Sequence, residues 1–112
     1  MNLLRKKISS SILTVVLLFG CGPLKLAADG KELFTKQCAS CHGPDGRAQS
    51  PIDRKLGVKD LTQSKLNEAG IENQIVEGKR DDHGNEKMPS FKGKLSTDEI
   101  KSLITAVKEL RK

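Results

Sequence analysis

Cys38-Ala39-Ser40-Cys41-His42 is the stretch that decides how this chain folds. Two thiols three residues apart fall on neighbouring positions of one helical turn, and an imidazole follows directly. One short helix can therefore carry two thioether bonds and an axial ligand to a single haem iron, and C-x-x-C-H is the attachment signature of c-type haem. Three other readings compete. A zinc site wants two further Cys or His ligands at suitable spacing, and only His83 remains. A thioredoxin-like pair needs a strand feeding the motif, whereas the flanks read as helical. A disulfide across two residues leaves His42 unused and the thin core described next without support.

Working outward, Asp29 to Lys112 forms one small domain with Phe34 and Phe91 as its only aromatics and no Trp or Tyr. Domains of this size bury only about 60% of their unfolded surface and commonly need a metal, a cofactor or a staple. Covalent haem c supplies one. Asp29 is placed to cap a first helix running through Leu33, Phe34, Cys38 and Cys41. Gly, Pro and Asp make residues 43–58 read as loop. A middle helix is expected within Gln63 to Val76, with Gly70 a point where it could split and Gly78 near its stop. Ser96-Thr97-Asp98-Glu99 has capping-box spacing and opens a last helix with Ile100, Leu103, Ile104, Val107 and Leu110 on one face. The expected fold class is all-α, with about three to five helices around one haem.

The chain resembles the class I c-type cytochromes, bacterial and monohaem, over Gly30 to about Leu110. Gly30 and Phe34 stand eight and four residues before Cys38, where that family has a glycine and an aromatic at the contact of its terminal helices. The resemblance implies that Pro51, nine residues after His42, offers its carbonyl to the ligand imidazole, fixing the ring and raising its basicity. It also implies that Met88, in Met88-Pro89-Ser90-Phe91, is the second axial ligand. A thioether is soft and neutral and raises the potential relative to a second imidazole. His83 is the rival, but it sits among Asp81, Asp82, Gly84 and Asn85 in a stretch that reads as solvated loop. One departure stands out: the last helix has Ala106 where the family commonly has an aromatic. Without Tyr or Trp, the haem propionates must rely on backbone amides and other polar side chains.

Upstream, Arg5, Lys6 and Lys7 precede an apolar run from Ile8 to Phe19, then Gly20-Cys21-Gly22-Pro23 breaks it. The run is too short to span a bilayer and has the layout of a secretory signal. Residues 1–28 are thus expected to be signal peptide and possible tether, and 29–112 the haem domain. Leu18-Phe19-Gly20-Cys21 resembles a bacterial lipobox, which would make Cys21 a lipidated first residue of the mature protein; cleavage after Ala28 is the competitor. Three thiols then divide into two for haem and one for lipid, in an oxidising compartment. The formal charge is +6, but four of the twenty basic residues and none of the 14 acidic ones precede Asp29, so the remainder carries +2. That is no footprint for nucleic acid.

No catalytic constellation is visible. A His/Met-ligated iron has no open position for substrate, so the expected role is a monomeric one-electron carrier, periplasmic or lipid-tethered, between redox protein partners such as respiratory complexes, dehydrogenases or oxidases. The alternative is a haem sensor or minor peroxidase-like enzyme, should Met88 not hold the sixth position. Lys79, Arg80, Lys87, Lys92 and Lys94 lie on either side of Met88, interleaved with Asp81, Asp82 and Glu86, and read equally as a docking rim or a mixed-charge loop.

Overall fold

Asp29 accepts a hydrogen bond from the Lys31 backbone N–H at 2.9 Å and starts the first helix, α1 (Gly30–Gln37). The computed structural model describes residues 29–111; the expected signal segment and Cys21 lie outside them. The helix breaks for one residue at Cys38 and resumes as α2 (Ala39–His42). After it come α3 (Pro51–Leu56), a 3-10 turn over Leu61–Gln63, α4 (Glu68–Glu77), a hairpin of β1 (Lys79–Arg80) and β2 (Glu86–Met88), and α5 (Thr97–Glu109).

The core is made where α1 and α4 meet α5. Phe34, Ile71, Ile75, Phe91, Leu103, Ile104 and Val107 form one buried cluster, with Leu103 only 1% exposed. The α5 members recur at helical spacing, so one face of that helix supplies nearly half the cluster. Its start is locked by the expected capping box: Ser96 Oγ accepts from Glu99 N–H at 3.2 Å, and Glu99 accepts from Ser96 N–H at 2.7 Å. An exposed Lys108–Glu68 ion pair also links α5 to α4.

The terminal helices touch through Gly30. A β-carbon there would overlap the Ser102 carbonyl and stand 3.2 Å from Ala106 Cβ, so only glycine lets α1 approach α5 this closely. Ala106 is buried, yet being small it leaves a groove of about 480 Å³ beside it, lined by Lys31, Phe34, Thr35, Pro44, Glu109 and Leu110. Phe91 joins the core cluster but does not line that groove.

Three features differ from the sequence expectation. Residues 51–56 are helix, not loop: Ser50 Oγ accepts from Asp53 N–H at 3.1 Å, Pro51 stands at the first helical position and Gly57 ends the element. Gly70 does not split α4, because Asn67 caps it by accepting from the Gly70 N–H at 2.8 Å and the helix runs through to Gly78. Residues 79–88 are a short antiparallel hairpin inside an otherwise helical fold. Its turn is organised by Asp81, whose carboxylate accepts from the His83 and Asn85 backbone N–H groups, both at 2.9 Å, and from the Asn85 side chain at 3.0 Å.

Candidate haem site

Cys38, Cys41 and His42 are brought together by backbone hydrogen bonds of the α1–α2 break. Cys38 N–H still donates to the Phe34 carbonyl at 2.8 Å, while the Cys38 carbonyl accepts from Cys41 N–H at 3.2 Å and His42 N–H at 2.9 Å. The motif is thus rooted in the buried Phe34 on one side and wound into a single turn on the other. Both cysteines are free thiols. They are not equivalent: Cys41 is exposed, whereas burial, with a smaller contribution from neighbouring Cys41, pushes the half-buried Cys38 up to about 11. Cys38 therefore stays protonated near neutrality.

His42 is half-buried, and its Nδ1 lies 3.1 Å from the carbonyl oxygen of Lys59. A carbonyl can only accept, so Nδ1 carries the proton and the neutral ring keeps its Nε2 lone pair free. Burial lowers the His42 pKa, opposed by the Lys59 carbonyl and by the charge of Asp53. The imidazole is thereby kept in the neutral form that a metal requires.

The Lys59 carbonyl holds the place expected for Pro51. Pro51 opens α3, where a carbonyl points along the helix axis into the next turn and not toward a neighbouring side chain. The route to Lys59 is built by hydrogen bonds. Val58 N–H donates to the Asp53 carbonyl at 2.9 Å as α3 ends, Ala48 N–H to the His42 carbonyl at 2.8 Å, and Leu61 N–H to the Gly46 carbonyl at 2.8 Å. The 3-10 turn is capped by Asp60, which accepts from Thr62 N–H at 2.8 Å. The segment 58–61 is thus pinned beside the motif. No side-chain pattern marks this partner, because the group involved is a backbone carbonyl on an exposed lysine.

Met88 stands on a separate support. It is half-buried and ends β2, paired with Lys79 across the hairpin. The residues after it are tied to the end of α4: Ser90 Oγ donates to the Val76 carbonyl at 2.6 Å, Phe91 N–H to the Ile75 carbonyl at 3.0 Å and Lys92 N–H to the Val76 carbonyl at 3.2 Å. His83 lies at the exposed hairpin turn, with its backbone, not its ring, engaged by Asp81.

The donor set fits a covalently held haem. Two free thiols share one turn with an imidazole whose Nδ1 is already engaged, and a thioether is held in a separate braced segment. Among the described residues no cluster of three or more His, Cys, Asp or Glu is placed to hold a bare metal ion.

Known proteins agree with this chemistry. Residues 25–105 match the family described as cytochrome c oxidase, cbb3-type, subunit III. The chain is 32% identical over 88 residues to cytochrome c6 of Gracilaria tenuistipitata var. liui, covering 75% of each chain. It is 34% identical over 94 residues to cytochrome c6 of Synechocystis, covering 80% of this chain and 72% of that one. The cbb3-type oxidase subunit FixP of Rhizobium meliloti is 33% identical over 86 residues, 76% of this chain but 28% of that longer protein. The solved c-type cytochrome KustC0563 superposes with a TM-score of 0.65 at 31% identity, covering 76% of this chain and all of that one. The chain therefore belongs to the cytochrome c family matched by the cbb3-type subunit III domain, and haem c, covalently bound and carrying iron, is its cofactor.

Proposed function

We propose that this protein is a one-electron carrier in which Cys38 and Cys41 hold the haem by thioethers and His42 and Met88 are the axial ligands of its iron. The observation that carries the reading is the hydrogen bond from His42 Nδ1 to the Lys59 carbonyl, which leaves Nε2 as the only free donor of a half-buried ring. Haem c supplies an iron that changes its charge by one unit while staying bound. The chain's own residues do the rest. The Lys59 carbonyl fixes the ring of His42 and raises its basicity, and the ties from Ser90, Phe91 and Lys92 to α4 keep the Met88 segment from drifting. Two persistent ligands leave the coordination nearly unchanged between Fe(III) and Fe(II), so little rearrangement opposes electron transfer.

The proposed partners are other redox proteins, met outside the cytoplasm. The basic n-region and short apolar run of residues 1–28 support export, and Cys21 at the end of that run supports a lipid-anchored tether over residues 22–28. Among the described residues no helix is long and apolar enough to cross a membrane. Carbon monoxide added to the reduced protein tests the carrier reading. An unchanged spectrum is expected of an iron held on both sides; rapid formation of a carbon monoxide adduct would move the protein to ligand sensing or peroxidase-like chemistry.

A further inference from the structure

Among the described residues, Ile52, Leu56 and Leu66 are the large apolar side chains left exposed, and two of them share one face of α3. Ile52 is 65% and Leu56 56% exposed, one helical turn apart, whereas Leu66 stands outside any helix. Apolar residues scattered singly over a surface are ordinary, but these two adjoin. The same helix presents Arg54 and Lys55 to solvent, and Arg47 and Lys59 are exposed on the turns that flank it. None of these four bases makes an ion pair with a described residue, and the one acid between positions 47 and 59, Asp53, is buried. The acids just outside, Asp45 and Asp60, accept from Arg47 N–H and Thr62 N–H within their own turns.

The bases around Met88 are differently placed. Lys87 reaches Asp81 at 3.8 Å and Lys92 reaches Glu77 at 3.7 Å, and Asp82 and Glu86 lie exposed among them. That side offers mixed charge and no exposed Leu or Ile, so the two faces are not equivalent. The α3 face is also close to the imidazole. The Asp53 carbonyl in α3 holds Val58 N–H at 2.9 Å, and the carbonyl of the next residue, Lys59, holds the His42 ring at 3.1 Å.

We propose that the face of Ile52 and Leu56, with Arg54 and Lys55 beside it and Arg47 and Lys59 on the flanking turns, docks a redox protein whose own contact surface is an apolar spot ringed by carboxylates. The bases steer the encounter and the apolar pair holds it. Its position beside the imidazole, where an electron enters or leaves, favours a redox protein over a lipid surface as the occupant.

The test is stopped-flow reduction of the haem-loaded ferric protein at low ionic strength by two donors. One is a strongly acidic flavodoxin in its hydroquinone form, which passes one electron to Fe(III) and becomes the semiquinone. The other is duroquinol, a small neutral reductant that needs no docking face. Arg54→Glu/Lys55→Glu should slow the flavodoxin reaction about tenfold, the lower end of what electrostatic steering supplies, and flatten its decline with added salt. Ile52→Ser/Leu56→Ser should slow it with the salt dependence intact. Both should keep the duroquinol rate and the low-spin spectrum, and Lys79→Glu/Arg80→Glu on the hairpin should change the flavodoxin rate far less. Should the charge reversal disturb the short helix, Arg54→Gln/Lys55→Gln must slow flavodoxin in the same direction. An equal loss in the hairpin variant, or no loss in the α3 variants, overturns the proposal. So does loss of sedimentation with phosphatidylglycerol vesicles at an unchanged flavodoxin rate, which assigns the face to lipid. The inference rests on the electron-carrier reading, and the two fail differently: a wild type reduced by neither donor ends both, whereas one reduced by both at rates the α3 changes leave alone ends only the docking.

Discussion

Gly78 and the backbone of Met88 are packed in direct contact. A β-carbon on Gly78 would overlap the Met88 carbonyl oxygen and lie 2.8 Å from both the Pro89 carbonyl carbon and the Ser90 nitrogen, and Gly78 has φ +68°, a region that side chains disfavour. The end of α4 and the methionine segment are therefore one unit, locked by the absence of a side chain. Gly78→Ala adds both backbone strain and a collision with backbone atoms. It should destabilise the domain by roughly 2 kcal/mol or more and weaken the proposed ligation of the iron by Met88. Thermal unfolding followed together with the methionine–iron absorption band checks this; an unaltered band with an unaltered midpoint would contradict it.

Ala106 and the groove beside it give a prediction of opposite sign. Filling the groove of about 480 Å³ with a larger side chain removes apolar surface of the half-buried Leu110 from water. Ala106→Leu should stabilise the fold by about 1 kcal/mol, provided the side chain turns away from Gly30. Gly30→Ala, on the other side of the same contact, should destabilise it by about 1–3 kcal/mol by prising α1 from α5. Denaturant unfolding of the two variants distinguishes these signs, and stabilisation by Gly30→Ala would be incompatible with the close approach seen here.

Asp81 sets an acid limit on the hairpin. The Asn85 side chain and backbone hold its carboxyl below the usual range against an opposing effect of desolvation, with lesser help from the His83 N–H and the Lys87 charge. A depressed folded-state pKa means the stabilisation is complete above the ordinary carboxylate range and is lost as pH falls through the lowered value. Hydrogen exchange at the Asn85 amide should accordingly lose protection only in acid, beyond the trend set by intrinsic exchange chemistry. In Asp81→Asn that protection should be reduced at neutral pH and no longer fall through this window; a wild-type profile in the variant would remove Asp81 from this role.

Attachment and anchoring are tested by mass. Cys38→Ala or Cys41→Ala should each leave the haem held by one bond at most, with much lower recovery of haem-bearing chain after denaturation. The mature protein should begin at a lipidated Cys21; an unmodified Asp29 start would contradict the tether.

What the sequence made legible was local or periodic. Asp29 and Ser96 announced their helices because a cap is a short-range hydrogen bond, and the core face of α5 could be read from its 3.6-residue repeat. Helix α3 was hidden because it has six residues and carries Ile52 and Leu56 outward, at 65% and 56% exposure, so no buried stripe marks it. The hairpin was hidden because its strands are two and three residues long and mostly charged. Lys59 was illegible for a different reason: the functional group is a carbonyl every residue possesses, and only the path of the chain aims it at His42. The burial of Asp53 is likewise a product of three-dimensional packing.

The most direct test of the central claim is the optical spectrum of the haem-loaded ferric protein, with attention to the weak near-red band that a methionine sulfur gives on low-spin ferric haem. Wild type should show that band, and Met88→Ala should lose it while keeping covalently attached haem and gaining carbon monoxide binding when reduced. A low-spin wild-type spectrum without the band, or a band that survives in Met88→Ala, would contradict His42/Met88 ligation and the electron-carrier account built on it.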